Sequence, residues 1–485
     1  MPEFEPVIGL EVHAELKTKA KMFCGCSTQF GNAPNSQTCP VCLGMPGVLP
    51  VLNKRAVYFA LRLAMTTGSE IAPRSIFARK NYFYPDLPKA YQISQYEQPL
   101  AVEGHVDIRD DGEWKSIELT RIHMEEDTGK LLHPDSTYPH GSRIDFNRCG
   151  IPLLEIVSEP VIKTPREAFL YLIKLRQMLL YLDICDGNME EGSLRCDVNI
   201  SIREVGNAQL GTKTEIKNIN SFRGAEKALQ YEIQRQTSVL EQGGRIIQQT
   251  LDWDAAKGMA LPIRSKEEAH DYRYFPEPDL IPLKVSQKWI DEIYTSLPEL
   301  PNARMIRFEK EYRLPVYDAE VLTATPEVAA YYEAVVKEGS DPKKASNWVM
   351  TEVLRILNEQ KIDITNFKVT SYSLAHLINL IDKGTISGKI AKEIFEIIIT
   401  TGKSPDDIIQ EKGLIQISDT DAIGTAVETV LESNPKEVQA YLNGKEKLIG
   451  FFVGEIMKIM RGKGNPKTIN VILKEKLTAE MQRKI

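Results

Sequence analysis

The 485-residue chain reads as an α+β protein: a mostly antiparallel sheet domain with a zinc loop, followed by an all-helical C-terminal third. Three observations predict this. Period-two strands with polar rows recur through the first half with few helical stretches before Thr164. Four cysteines cluster just behind the first strand. Beyond a proline-rich exit at Pro276, Pro278, Pro282, Pro298 and Pro301, the apolar spacing becomes helical.

The first strand is Val7–Leu16, VIGLEVHAEL. Ile8, Leu10, Val12, Ala14 and Leu16 fall on one face, and Gly9, Glu11, His13 and Glu15 on the other. An exposed row of Glu, His, Glu carries two kinds of metal ligand. The cysteine loop follows as Cys24-x-Cys26, twelve residues, then Cys39-x-x-Cys42. Asn32, Pro34, Asn35 and Ser36 are turn formers that let the pairs meet, as a four-thiolate structural zinc site requires. A redox dithiol at Cys39 and Cys42 is the other chemistry this spacing serves. Cys149, Cys185 and Cys196 are scattered singly, which suits a reducing compartment better than a disulfide scaffold.

Later strands repeat the polar row. Ile117–Asp127 shows Arg121, His123, Glu125 and Asp127; Ile151–Glu159 shows Glu155 and Glu159. Arg195–Arg203 sets Arg195, Asp197, Asn199, Ser201 and Arg203 against an apolar row, and Lys213, Glu215 and Lys217 complete the series. Any sheet with one wet face alternates, so a single row says little. Carboxylates, a histidine and lysines recurring on five strands say more. Hard oxygen ligands such as Glu11, Glu125 and Glu155 suit magnesium, which is completed by waters and substrate phosphates. Neighbouring lysines and arginines would neutralise phosphate oxygens. No GxxxxGK[ST] loop is present. Gly384–Lys389, GTISGK, is one residue short and runs into Ile390, so any ATP must be held by side chains and metal. No G-x-S-x-G or amidase signature supplies a hydrolytic nucleophile.

His105, His133, His140, His270 and His376 read as ordinary hydrogen bonders, while His123 fits either role. Aromatics cluster in Lys80–Tyr96 and Asp271–Asp279, where they either pack loops or stack unpaired bases. The helical third is expected over Pro326–Lys337, Ala345–Gln360, Ser371–Asp382 and Ser387–Thr400, with Gly384 and Gly402 as stops and Pro405 as a hinge. A net charge of −7 excludes a generally basic RNA binder. The exception is local: Tyr441–Ile485 holds ten Lys and Arg against four Glu, a net +6. Met1–Pro6 lacks an apolar leader and no long uncharged apolar run occurs, so a cytoplasmic protein with no membrane contact is expected.

VIGLEVHAEL with its cysteine loop resembles the start of the GatB family, the B subunits of the aspartyl/glutamyl-tRNA(Asn/Gln) amidotransferases. So do HMEEDTGKLLH (His123–His133), DFNRCGIPLLEIVSEP (Asp145–Pro160), EEGSLRCDVNIS (Glu190–Ser201) and KTEIKNINSF (Lys213–Phe222), and GKEKLIGFFVGEIMKIMRGKGNP (Gly444–Pro466) resembles its tail. The resemblance implies a catalytic cradle domain over 1–290, a helical domain over 291–405 and a tRNA-binding tail over 406–485. It implies a ligase that uses ATP to phosphorylate the side-chain carboxylate of Glu-tRNA(Gln) or Asp-tRNA(Asn), and amidates it with ammonia drawn from glutamine by a partner. Two further subunits are implied as partners, the amidase (A) and a small one (C). By position the resemblance places Glu11, His13, Glu125 and Glu155 at or beside magnesium, with Asp197 in the catalytic set, and Cys24, Cys26, Cys39 and Cys42 on zinc. Arg195, Lys213, Glu215 and Lys217 become ATP or substrate contacts, and Lys80, Lys89 and Tyr82 mark the side where ammonia enters. A zinc-containing tRNA presenter without catalysis is the rival reading.

Overall fold

The computed structural model describes residues 3–132, 141–265, 271–414, 420–460 and 464–483; His133, His140 and His270 lie outside them. The chain divides into two compact units, Met1–Pro301 and Asn302–Ile485.

The first unit is built on a thirteen-stranded sheet. The opening strand, Phe4–Glu15, sits near its middle, between Leu194–Glu204 and Pro152–Ser158, and Glu113–Glu126 follows outside the latter. Every named strand pair is antiparallel except Thr214–Ile219 with Gln249–Asp254, which the helix Phe222–Glu241 connects. The alternation expected of the opening strand is realised. Ile8, Leu10, Val12 and Ala14 are buried in the main apolar cluster with Tyr171, Leu175 and Leu179 of the helix Pro165–Tyr181 and Ala228 and Leu229 of Phe222–Glu241. Each such aliphatic side chain contributes about 1.5–3 kcal/mol on burial. Thr164, with proline at the first helical position, and Ser221 cap the starts of these two helices by accepting from backbone N–H groups.

A helix at Lys54–Thr66, capped by Asn53, is passed over by a strand-based reading of this half. Its Ala56, Val57, Ala60, Leu61 and Ala64 recur at helical spacing and join the same core. Helices thus cover one sheet face, and the polar rows are left on the other. Register then does what sequence spacing cannot: His13 stands opposite Glu155, which stands opposite His123, while Glu11 faces Asp197 and His13 faces Arg195.

The second unit is helical throughout its described residues. Pro326–Lys337 and Ser371–Asp382 form as expected, and Gly402, at φ 72°, closes the helix Gly388–Thr401. The stretch expected as one helix over Ala345–Gln360 is broken by a π-helical turn at Val349–Val353. Two separate apolar clusters fill this unit, one from Met305 to Ile409 and one from Ile423 to Leu477. Pro405 opens the helix Pro405–Lys412, and its Ile408 and Ile409 are buried in the first cluster. Among the described residues no helix is long and apolar enough to cross a membrane.

Candidate functional site

The open sheet face carries two triads of ligand-type side chains. His13, Glu125 and Glu155 form the first, and Glu11, Asp197 and Glu215 the second; within each, one ligand atom per residue lies within 4.8 Å of the others. Four of these residues lie on three adjacent strands and the other two on the strands beyond. Sequence reasoning grouped Glu11 with His13, Glu125 and Glu155. The structure keeps it on the same face, two residues along the strand, but seats it in the second triad.

In the first triad Glu155 Oε2 lies 3.4 Å from His13 Nε2 and 3.2 Å from His123 Nε2. Glu125 Oε1 is 3.7 Å from His13, and Ser94 Oγ donates to Glu125 Oε2 at 3.3 Å. Arg121 Nε donates to His123 Nδ1 at 3.3 Å, which leaves His123 Nε2 to carry the proton facing Glu155. Burial pushes His13 down, but its hydrogen bond to Glu155 and the charges of Glu125, Glu155 and Asp197 outweigh this and raise its pKa. For Glu155 burial acts upward, and the nearby His123 and His13 overcome it, holding the carboxyl well below its usual range.

The second triad is held by cations and amides. Lys217 Nζ bridges Asp197 Oδ2 at 2.5 Å and Glu215 Oε1 at 3.1 Å, and stays charged against burial because of them. Asn199 Nδ2 donates to Glu11 Oε1 at 2.9 Å, and Lys213 Nζ donates to Asn199 Oδ1 at 3.2 Å. Thr250 Oγ1 donates to Glu215 Oε2 at 2.9 Å. Burial, then the charges of Glu155 and Asp197, raise the pKa of Glu11, with His13 acting the other way. Lys217 offsets Asp197 and Glu215 rather than Glu11, and three carboxylates so gathered fit a hard divalent cation.

Arg195 stands at the triads' edge rather than inside either. Its Nη2 donates to Asp127 Oδ2 at 2.7 Å, and Arg148 Nε approaches the same oxygen at 3.3 Å. Glu15 completes this group: burial, with Asp127's charge and a shared hydrogen bond, pushes it up to about 8. Lys80 lies with its Nζ 5.1 Å from the Tyr272 ring centroid, and the Tyr82 ring packs edge-on against Tyr272. Lys89 is elsewhere. It pairs with Glu126, whose neighbour Glu125 points to the open face, in a cavity of about 170 Å³ lined also by Lys21, Phe23, Cys42 and Ile93. Gly44 lets the cysteine loop lie against it: at φ 66° its missing Cβ would stand 2.4 Å from Lys89 Cγ.

The cysteine loop brings Cys24, Cys26, Cys39 and Cys42 together, their sulfurs within 4.8 Å of one another. Four soft donors so gathered fit zinc and leave no open position for chemistry. The hydrogen bond with Cys24, the backbone N–H of Cys39 and nearby Lys21 pull the Cys42 thiol down to about 5. Lys21, fully buried, puts its Nζ 3.7 Å from Cys42 Sγ and offsets part of the charge of such a site.

Sequence reasoning left Arg121, Ser94, Asn199 and Thr250 without roles. Arg121 and Asn199 sit in the polar rows and were visible there. Ser94 and Thr250 were not, because each reaches the site from a strand remote in sequence.

Two clusters of hard ligand-type side chains on one sheet face, beside a cysteine quartet, define a domain whose residues could hold metal ions. In agreement, residues 6–291 match the family model of the GatB/GatE catalytic domain, and residues 330–477 that of the GatB domain. The relative from Thermodesulfovibrio yellowstonii is 56% identical over 97% of this chain and 98% of its own length. Those from Carboxydothermus hydrogenoformans and Geobacter sulfurreducens are each 55% identical over 98% of this chain and 99% of theirs. All three bear the name of the B subunit of aspartyl/glutamyl-tRNA(Asn/Gln) amidotransferase. The chain belongs to the family of these amidotransferase B subunits.

Proposed function

We propose that this chain is the phosphorylating and amidating subunit of a tRNA-dependent amidotransferase, acting on glutamate or aspartate carried by tRNA(Gln) or tRNA(Asn). A carboxylate resists ammonia because oxide is a very poor leaving group. Transfer of the ATP γ-phosphoryl to it makes an acyl phosphate, from which ammonia displaces phosphate to form the amide. The observation that carries this reading is the pair of triads on one sheet face, with no glycine phosphate loop and no hydrolytic nucleophile to suggest other chemistry.

His13, Glu125 and Glu155 would hold one magnesium ion, and Glu11, Asp197 and Glu215 a second. Strand geometry sets Glu11 and His13 about 7 Å apart along the chain. Each triad gathers its own ligand atoms, so each would hold its own cation. When bound, magnesium supplies charge neutralisation for the phosphates. Lys213 and Lys217 at one side and Arg121 at the other would add donors for phosphate oxygens, and Arg195, fixed by Asp127, stands opposite His13 at the edge. Lys80 and Tyr82 would mark the side from which ammonia made by an amidase partner enters, and Lys89, turned onto Glu126 beside the cysteine loop, falls away from that side. The four cysteines would hold zinc for structure only. The basic tail beyond residue 406 would bind the body of the tRNA.

The test is reconstitution with the amidase and the small partner, charged tRNA, ATP and glutamine. Wild-type chain should form the amide only with ATP. Glu125→Gln should lose at least about 100-fold in turnover while binding tRNA normally. Full turnover by that variant would remove Glu125 from the site, and tRNA binding with no ATP consumption by the wild type would leave only a tRNA-presenting role.

A further inference from the structure

A run of tyrosines beside the first triad has no part in the phosphoryl chemistry. Tyr272 and Tyr274 enter on the edge segment paired with Ala78–Asn81, and Tyr82 and Tyr96 come from the Lys80–Tyr96 segment. Tyr82 meets Tyr272 edge-on at 6.0 Å, Tyr272 meets Tyr274 at 6.2 Å, and Tyr274 stacks on Tyr96 at 4.1 Å with the rings 7° from parallel. Two sequence-remote loops thus build one continuous ladder. Its place relative to the carboxylates follows from the backbone. Ser94, whose hydroxyl donates to Glu125, ends its strand two residues before Tyr96, which keeps that ring a short stretch of chain from the first triad. The charges of Glu125 and Glu155 both add to burial in pushing the Tyr274 hydroxyl up, which puts that ring at the triad's border. Tyr96, the last ring, is 51% exposed.

We infer that the exposed face of Tyr96, backed by Tyr274, is the stacking platform for the terminal adenosine of the charged tRNA. This rests on the reading of the site proposed above and deepens it. The constraint is covalent. The acid to be phosphorylated is esterified to the ribose of that adenosine, so its base must lie one aminoacyl arm from the triads. The one stacked pair of tyrosine rings among the described residues lies there, with an outer face open. Bases stack on aromatic rings irrespective of sequence, which suits an end shared by different tRNAs. Charge agrees: Lys80, over the Tyr272 ring, has no ion pair with a carboxylate among the described residues and can meet the incoming phosphodiester backbone. A ring pair serving only to pin the Asp271–Asp279 segment would need no such position.

The experiment is a double cycle in the reconstituted complex with an amidase partner, ATP and glutamine. It pairs Tyr96→Ala with charged tRNA whose terminal nucleotide carries no base. Tyr96→Ala should raise KM for charged tRNA by about 5- to 150-fold with kcat little changed, the loss expected for one stacked base. Tyr96→Phe, which keeps the ring, should behave as wild type. The baseless substrate should show the same penalty with wild-type chain and no further penalty with Tyr96→Ala. Penalties that multiply, or an unchanged KM for Tyr96→Ala, overturn the assignment. Absence of ATP-dependent amidation by the wild type would instead sink the proposed function, and the same cycle read by equilibrium binding of charged tRNA would still decide the platform.

Discussion

Replacing Glu155 by glutamine tests the electrostatics of the first triad directly. Glu155 Oε2 lies 3.4 Å from His13 Nε2, and the two side chains are 11% and 19% exposed. At an effective dielectric of about 20, unit charges at that distance attract by about 5 kcal/mol. Desolvation returns part of this, and breaking one partner of a buried pair costs about 3–5 kcal/mol. Glutamine keeps the shape and an acceptor oxygen, so a loss at the lower end, about 3 kcal/mol, is expected in metal-free protein. The pH dependence has a definite sign. His13 is raised above its ordinary 6.5, so its share of stability is complete below 6.5 and drains as pH rises through the raised value. Glu155 is lowered from 4.5, so its share is present above 4.5 and drains as pH falls through the lowered value. Both are charged between 4.5 and 6.5. Glu155→Gln should therefore cost about 3 kcal/mol at about pH 5.5 and distinctly less at a pH above the raised value of His13, where neutral imidazole only donates a hydrogen bond to the carboxylate. Urea unfolding in chelator, followed by hydrogen exchange of Phe4–Glu15, measures this. Equal losses at the two pH values would refute the reasoning.

Three other outcomes follow from the same geometry. Glu15→Gln should gain stability relative to wild type as pH rises from 4.5 to about 8, because over that range the unfolded chain ionises Glu15 and the folded chain does not; a pH-independent difference in denaturant midpoint would contradict it. Purified protein should release one zinc per chain on thiol titration, and Cys39→Ser should release none and unfold at lower denaturant, since such sites contribute up to about 10–16 kcal/mol to small modules. Truncation after Leu414, which spares the buried Ile408 and Ile409, should weaken tRNA binding by at least about tenfold while ATP hydrolysis without tRNA persists; equal binding in a filter assay would remove the tail from recognition.

The opening strand shows how much was legible from residues alone. Its period of two assigned Ile8, Leu10, Val12 and Ala14 to the core and Glu11, His13 and Glu15 to the open face, because a strand has only two faces and burial selects the apolar one. Cysteine spacing likewise predicted the quartet, since short loops bring such pairs together without help from distant chain. Helix boundaries at Pro326–Lys337 and Ser371–Asp382 were readable from proline and glycine punctuation. Lys54–Thr66 was not, because a short apolar run bounded by turns reads as either strand or helix.

What the amino-acid sequence determined by itself was chemistry and facing: which residue types the molecule owns, and which side of each strand they occupy. The tertiary structure alone decided partnership. Alternation carries no information about which strand pairs with which, and one residue of register moves a side chain to the opposite face. Only the pairing of Phe4–Glu15 with Pro152–Ser158 on one side and Leu194–Glu204 on the other splits six ligand-type residues into two triads, Glu11 in one and His13 in the next.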